Sequence, residues 1–201
     1  MPTITDISQL DLTQTYSYAD YMSWKFEQTL EIIRGKIFPM AGPSRVHQKI
    51  SWQLSGIFFN YFKDKQCEVY AAPFDVRLYD KFKSIDADKD IYNVVQPDLC
   101  VICDLDKLDD RGCIGAPDLI IEILSPGNSK REMKIKKGLY AEAGVQEYWV
   151  IDPNQETLTQ FVGIGENENY NRPLIFTSDD EVVSIVFPDL IIDLKTLFPV
   201  V

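Results

Sequence analysis

Residues 117–129 read PDLIIEILSPGNS. The run Leu119-Ile120-Ile121-Glu122-Ile123-Leu124 is apolar at every position but one, the pattern of a strand covered on both faces. Such a strand belongs to a sheet with helices packed on it. Glu122 is then a problem, because an ionised carboxylate in a buried run is costly unless something pairs with it. The segment that follows, from about Ser129 to Ala143, is basic and helical in period, and Gly144 is placed to stop it.

Working outward, Val94–Cys103 and Glu147–Ile151 read as further buried strands, with the charged connector Asp104–Gly115 between the first of them and Leu119. Leu30–Met40 reads as a hairpin turning at Arg34-Gly35. Ser44 is placed to cap a long amphipathic helix ending near Lys63. Cys67–Tyr79 is expected as one strand, Lys81–Asp90 as a charged loop and Tyr18–Thr29 as a helix. Leu158–Val162, Leu174–Thr177 and Val182–Phe187 are expected as strands in the tail, and Leu194–Phe198 as a last helical turn. Residues 1–15 are polar and are expected to form a flexible N-terminal segment, with 16–201 as a single domain. The order of elements gives an α/β fold of the mixed-sheet, α+β kind: a central mixed sheet flanked by helices, with an N-terminal hairpin and C-terminal strands.

Composition sets bounds on function. The chain has 31 acidic and 20 basic residues, a net charge of −11. That argues against a protein that coats DNA generically, which needs clustered Lys and Arg. No basic segment followed by an apolar run opens the sequence, and no apolar stretch approaches the ~18 residues of a membrane span. A cytoplasmic protein without membrane partners is expected. Such a chain does not need disulfides. Cys100 and Cys103 form a C-x-x-C, but on a strand, where residues three apart face opposite ways. They read as buried thiols, with a zinc site as the alternative.

Two polar residues sit on apolar helix faces. In the helix after Asn128, Met133, Ile135, Leu139, Tyr140 and Ala143 make an apolar arc at 100° per residue, and Lys136 falls in its middle with Glu132 beside it. A lysine there either snorkels out or pairs with a buried carboxylate, and Glu132 and Glu122 are the candidates. Lys130, Lys134 and Lys137 lie opposite, as a solvated face or a phosphate-contacting one. His47, the only histidine, falls in the apolar arc of the helix from Ser44. It reads as a satisfied core residue or as a helper beside an acidic site.

Asp98 opens the apolar run Leu99–Ile102 and Glu122 lies in the next such run. If the two strands are neighbours, the carboxylates converge. They would repel unless a cation lay between them or one were protonated. Carboxylates with water suit Mg²⁺ or Mn²⁺, and a nearby lysine suits phosphodiester hydrolysis. The structural alternative is that Asp98 caps a turn and Glu122 pairs with Lys136 for architecture alone. Asp118, in the second Pro-Asp-Leu, precedes its strand and reads as structural.

In combination, LEIIRGKIFPM, the helix opening with His47, VVQPDLCVI, GAPDLIIEILSPGNS, the helix carrying Lys136 and Tyr140, AGVQEYWVIDP and SIVFPDLIIDLKTLF give a specific pattern. Over about residues 16–198 the chain resembles the Uma-two family, endonuclease-like proteins long catalogued as a domain of unknown function, within the restriction-endonuclease-like PD-(D/E)XK superfamily. The resemblance implies a metal-dependent nuclease core. Asp98 matches the family's Pro-Asp aspartate, Glu122 its third-motif acid, Glu31 a hairpin glutamate and Lys136 a helix lysine. The superfamily has lysine two residues after the acid, where this chain has Leu124, so Lys136 would supply the displaced amine. Glu132 stands where the family tends to have aspartate.

The expected activity is therefore endonucleolytic, with Asp98 and Glu122 as metal ligands for Mg²⁺ or Mn²⁺ and Lys136, Glu31 and His47 as further catalytic residues. Nucleic acid, DNA in the first place, is the expected partner, and cutting both strands of a duplex would call for a homodimer. The competing expectation is a catalytically inactive nucleic-acid-binding or protein-interaction module of the same fold.

Overall fold

The computed structural model describes residues 4–25, 28–79, 88–125, 130–163 and 173–198. Residues 81–87 of the expected loop Lys81–Asp90, the strand-ending residues Pro126-Gly127-Asn128 and the expected helix start at Ser129 lie outside them.

In chain order the elements are α1 (Tyr18–Tyr21), β1 (Leu30–Ile33), β2 (Lys36–Pro39), α2 (Arg45–Phe62), β3 (Glu68–Ala71), β4 (Val76–Leu78), β5 (Asn93–Val95), β6 (Leu99–Ile102), β7 (Leu108–Asp109), β8 (Gly112–Ile114), β9 (Leu119–Ile123), α3 (Lys130–Ala143), β10 (Glu147–Asp152), β11 (Thr157–Val162), β12 (Leu174–Thr177), β13 (Glu181–Val183) and β14 (Ile191–Asp193). The central sheet runs β12-β11-β10-β9-β6-β3, with β9 and β10 parallel and the other pairs antiparallel. A second sheet runs β2-β1-β5-β4-β8-β7, and β13 and β14 form a separate ribbon.

β9 is buried along its whole length, and its alternation explains the layers. Leu119, Ile121 and Ile123 share a core with Ile50, Leu54 and Phe58 of α2. Ile120 points the other way, into a core with Leu139, Tyr140 and Ala143 of α3 and Val76, Leu78 and Val95 of the second sheet. α3 is thus held between the two sheets. Period-2 alternation puts Glu122 on that same side. The hairpin turns at Arg34-Gly35 with positive φ at both, 53° and 75°, the backbone that matches the twist of flanking strands.

Several expectations are corrected. Among the described residues of Tyr18–Thr29, the helix covers Tyr18–Tyr21: Ser17 and Asp20 close a capping box, and Tyr16, Tyr21 and Trp24 then pack edge to face. Cys67–Tyr79 is two strands in two sheets, with the break at Ala72-Pro73. Proline cannot continue the ladder, so the alternation seen in sequence spans two half-strands. The cysteine reading also fails for Cys103. β3 and β6 pair antiparallel with Glu68 opposite Ile102, so Cys67 and Cys103 meet one rung further and form a disulfide. Cys100 and Cys113 are free and buried, and the zinc alternative loses one of its two sulfurs. In the tail, the expected strand Val182–Phe187 shortens to β13 and a partner, β14, follows it. The expected last helical turn is present, as a 3₁₀ turn over Leu194–Thr196. No described helix is long and apolar enough to cross a membrane.

Sequence alone did not flag Glu147, which is fully buried. Its Oε1 accepts from Trp149 Nε1 at 2.7 Å and Gln160 Nε2 at 2.6 Å. Its Oε2 accepts from the Ser184 hydroxyl at 2.7 Å and from the Ile185 and Val186 amides at 3.0 Å. One carboxylate therefore fastens the tail to the sheet. Replacing it leaves buried donors without an acceptor, so Glu147→Ala should lower the urea unfolding free energy by about 3 kcal/mol. A change under about 0.5 kcal/mol would mean that solvent replaces the carboxylate.

Candidate active site

β1, β9 and α3 each contribute one charged side chain to a single buried cluster. Lys136 Nζ lies 2.8 Å from Glu31 Oε1 and 3.0 Å from Glu122 Oε1. Glu31, Glu122 and Lys136 are 2%, 8% and 4% exposed, so solvent screens these contacts little. The apolar arc of α3 explains why Lys136 enters the core, and the carboxylates on facing strands explain why it stays charged. Tyr140, one turn further along α3, donates its hydroxyl to Glu122 Oε1 at 2.6 Å. The Gln96 amide donates to Glu31 Oε1 at 3.0 Å.

Asp98 lies beside this cluster. β6 and β9 pair with Leu99 opposite Ile121, so the next rung brings Asp98 opposite Glu122. The Ile123 amide donates to Asp98 Oδ2 at 2.6 Å, and His47 Nε2 sits 3.1 Å from Asp98 Oδ1. His47 comes from the first turns of α2, where Ser44 caps the helix by accepting from the His47 amide. The five residues singled out from sequence thus form two touching groups, Glu31–Lys136–Glu122 and His47–Asp98. Lys136 pairs with Glu31 and Glu122; Glu132 lines the cavity onto which the site opens. That cavity holds about 400 Å³ and is also lined by Gln96, Gln48 and Ser51. Asp118 lies apart, accepting from the Cys103 amide at 2.8 Å.

Tyr140 and Gln96 were not recognised as site residues from sequence. Tyr140 is four residues from Lys136 and therefore on its face, but an aromatic in an apolar arc reads as core. Gln96 stands next to Pro97-Asp98, and nothing in its type marks it.

The site is rich in acceptors. Three carboxylates face one lysine and one histidine, and Gln96 Oε1 is buried without a hydrogen-bond partner among the described residues. Burial pushes the Glu122 carboxyl up to about 7, Lys136 opposes this, and Glu31 and Asp98 add to it. Burial alone would lower Lys136, but Glu122 and Glu31 outweigh it and hold the ammonium charged. For His47, burial lowers the pKa, yet the bond to Asp98 and the charges of Asp98 and Glu122 leave it raised. Among the described residues no group of three or more His, Cys, Asp or Glu side chains is placed to hold a metal ion. The donor set suits a hard cation that takes one or two carboxylates and keeps its water, which is the habit of Mg²⁺.

Comparisons with known proteins bear on the family and the fold. The family model described as "Uma2: Putative restriction endonuclease" matches residues 18–195. The uncharacterized protein sll1609 of Synechocystis sp. is 27% identical over 161 residues, covering 78% of this chain and 85% of its own. A second uncharacterized Synechocystis protein, slr1290, is 27% identical over 135 residues, 66% of each chain. Among solved structures, a "putative nuclease belonging to DUF820" from Anabaena variabilis superposes with a TM-score of 0.72 at 20% identity, covering 91% of this chain and 97% of that one. That likeness shows the fold.

Because its pKa is raised, folded Glu122 keeps a proton that the unfolded chain releases at lower pH. The folded state is therefore favoured in acid, and this contribution declines as pH rises from 4.5 towards about 7. In chelator, the wild-type urea midpoint should fall across that interval and Glu122→Gln should flatten the fall. Above pH 7 the variant should be the more stable of the two. A wild type that is more stable than the variant at pH 8 without metal would show that Lys136 and Tyr140 fully compensate the carboxylate.

Proposed function

The chain belongs to the Uma2 family, and from that premise we propose that it is an endonuclease hydrolysing nucleic-acid phosphodiester bonds, DNA in the first place, with Mg²⁺ or Mn²⁺ as cofactor. One observation carries the reading: Asp98 and Glu122, opposite one another on neighbouring strands, line one cavity with the buried ammonium that pairs with Glu122. A structural ion pair would need one carboxylate for Lys136, and here there are two, with a third beside them.

Asp98 and Glu122 would hold the cation. Bound there, a divalent cation would polarise the phosphoryl group and make water a better nucleophile at neutral pH. Lys136 donates N–H bonds towards the same space, where negative charge develops as the phosphorus is attacked. Glu31 and the Tyr140 hydroxyl keep Lys136 and Glu122 in place. His47 is a positioning residue: it orients Asp98 through Oδ1 while the Ile123 amide holds Oδ2. Leu124 leaves no amine on β9 itself, and the ammonium reaches the site from α3.

Titration of Mn²⁺ into the protein by calorimetry should give saturable heat in the wild type and none in Glu122→Gln. Lys136→Met, tested on single-stranded and duplex DNA, should cut roughly 10²–10³-fold more slowly, the usual cost of losing one donor to developing charge. Equal absence of Mn²⁺ heat in both proteins, with Glu122→Gln more stable in every buffer, would instead support a non-catalytic module built on the same fold.

A further inference from the structure

The outward face of α2 differs from the rest of this acidic protein. Arg45–Phe62 contains no Asp or Glu, in a chain with 31 of them. At 100° per residue, Arg45, Lys49, Trp52, Gly56, Phe59 and the following Lys63 fall within about 80° of one another. All six are exposed, and they lie opposite the buried Ile50, Leu54 and Phe58. Trp52 is 80% exposed and Phe59 66%. Nothing lies within 4 Å of the position a side chain would take at Gly56, so the space between the two rings is open. The stripe also leads to the site: Gln48 and Ser51 of the same helix line the cavity with Glu122 and Lys136.

We infer that this stripe is a docking track for an unpaired nucleic-acid strand, with Trp52 and Phe59 as base-stacking platforms and Arg45, Lys49 and Lys63 on the phosphates. The inference rests on the endonuclease reading for its location beside the site, and its binding test does not require cleavage. Bases in an intact duplex have their faces hidden in the stack, whereas those of a single strand are open to aromatic rings. Seven residues of helix rise about 10.5 Å, which is three steps of a stacked strand. Charge also favours a polyanion over a second copy of the chain. In a two-fold contact the stripe would meet itself antiparallel, setting Arg45 of one copy near Lys63 of the other.

The test uses the full chain in EDTA, so that nothing is cut, with a labelled single-stranded oligothymidylate and a duplex of equal length. Anisotropy should show tighter binding of the single strand, with quenching of tryptophan emission. Trp52→Ala should weaken single-strand binding roughly 5- to 100-fold. Lys49→Ala should lower the slope of log affinity against log salt by about 0.7. Both sites are exposed, so urea midpoints should match the wild type. Unchanged binding by Trp52→Ala, or a loss seen only in self-association by sedimentation, overturns the inference. Cleavage that needs Glu122 but has the same KM in Trp52→Ala would remove the track and leave the endonuclease. Trp52-dependent binding without any Mn²⁺ heat would leave the track and remove the endonuclease.

Discussion

The placement of one ammonium between two buried carboxylates is the constraint on which the structure turns. Lys136 comes from α3, Glu31 from the second sheet and Glu122 from the central one. None of these charges would be tolerable in the core alone, since the penalty for an unpaired buried ion is several kcal/mol. Each therefore requires the other two elements to be in position. α3 is pressed between the sheets by its apolar arc, but that arc alone would accept some rotation or sliding. The Nζ contacts to two separate sheets, with Tyr140 fixing Glu122 one turn away, allow far less.

The same cluster is not an economical way to stabilise a fold. Two carboxylates against one lysine, with Asp98 opposite Glu122, leave negative charge in excess; burial raises the Glu122 pKa first, and the charges of Glu31 and Asp98 add to it. Glu147 shows what a purely structural buried carboxylate looks like here: donors on both oxygens and a role in pinning the tail. The contrast separates an anchor from a site. Glu147 is enclosed by donors, whereas Glu122, Glu31 and Asp98 open onto a cavity with an acceptor, Gln96 Oε1, left unmet.

Much of this was legible in the sequence because polar residues in apolar patterns stand out. Glu122 interrupts a buried strand, Lys136 interrupts a helix face, and both anomalies resolve into the same contact. The hairpin and α2 were equally readable from a turn and a cap. The features that escaped are those without a pattern of their own. Tyr140 reads as core because a phenol hides its hydroxyl in an aromatic. The split of Cys67–Tyr79 escaped because its alternation continues across Ala72-Pro73 while the sheet changes. The Cys67–Cys103 disulfide joins residues 36 apart, and only the register of β3 on β6 makes them neighbours. α1 stops after one turn because aromatic packing around Tyr16 and Trp24 outweighs the helical propensity of the residues after it.

The net charge of −11 opposes a nucleic-acid partner at long range, but the relevant length is the range of the field. At physiological salt, exposed charges more than about 8 Å apart are largely screened from one another. A strand on the outer face of α2 would therefore respond to Arg45, Lys49 and Lys63 rather than to acids on remote faces. The acidic remainder disfavours many other paths for a polyanion, though not all, since Lys89 and Lys134 are exposed on other elements. What sets α2 apart is that its cations alternate with two exposed rings and that the same helix lines the cavity. On the proposed reading, the cations and rings of one helix, rather than the net charge of the chain, decide where a strand settles.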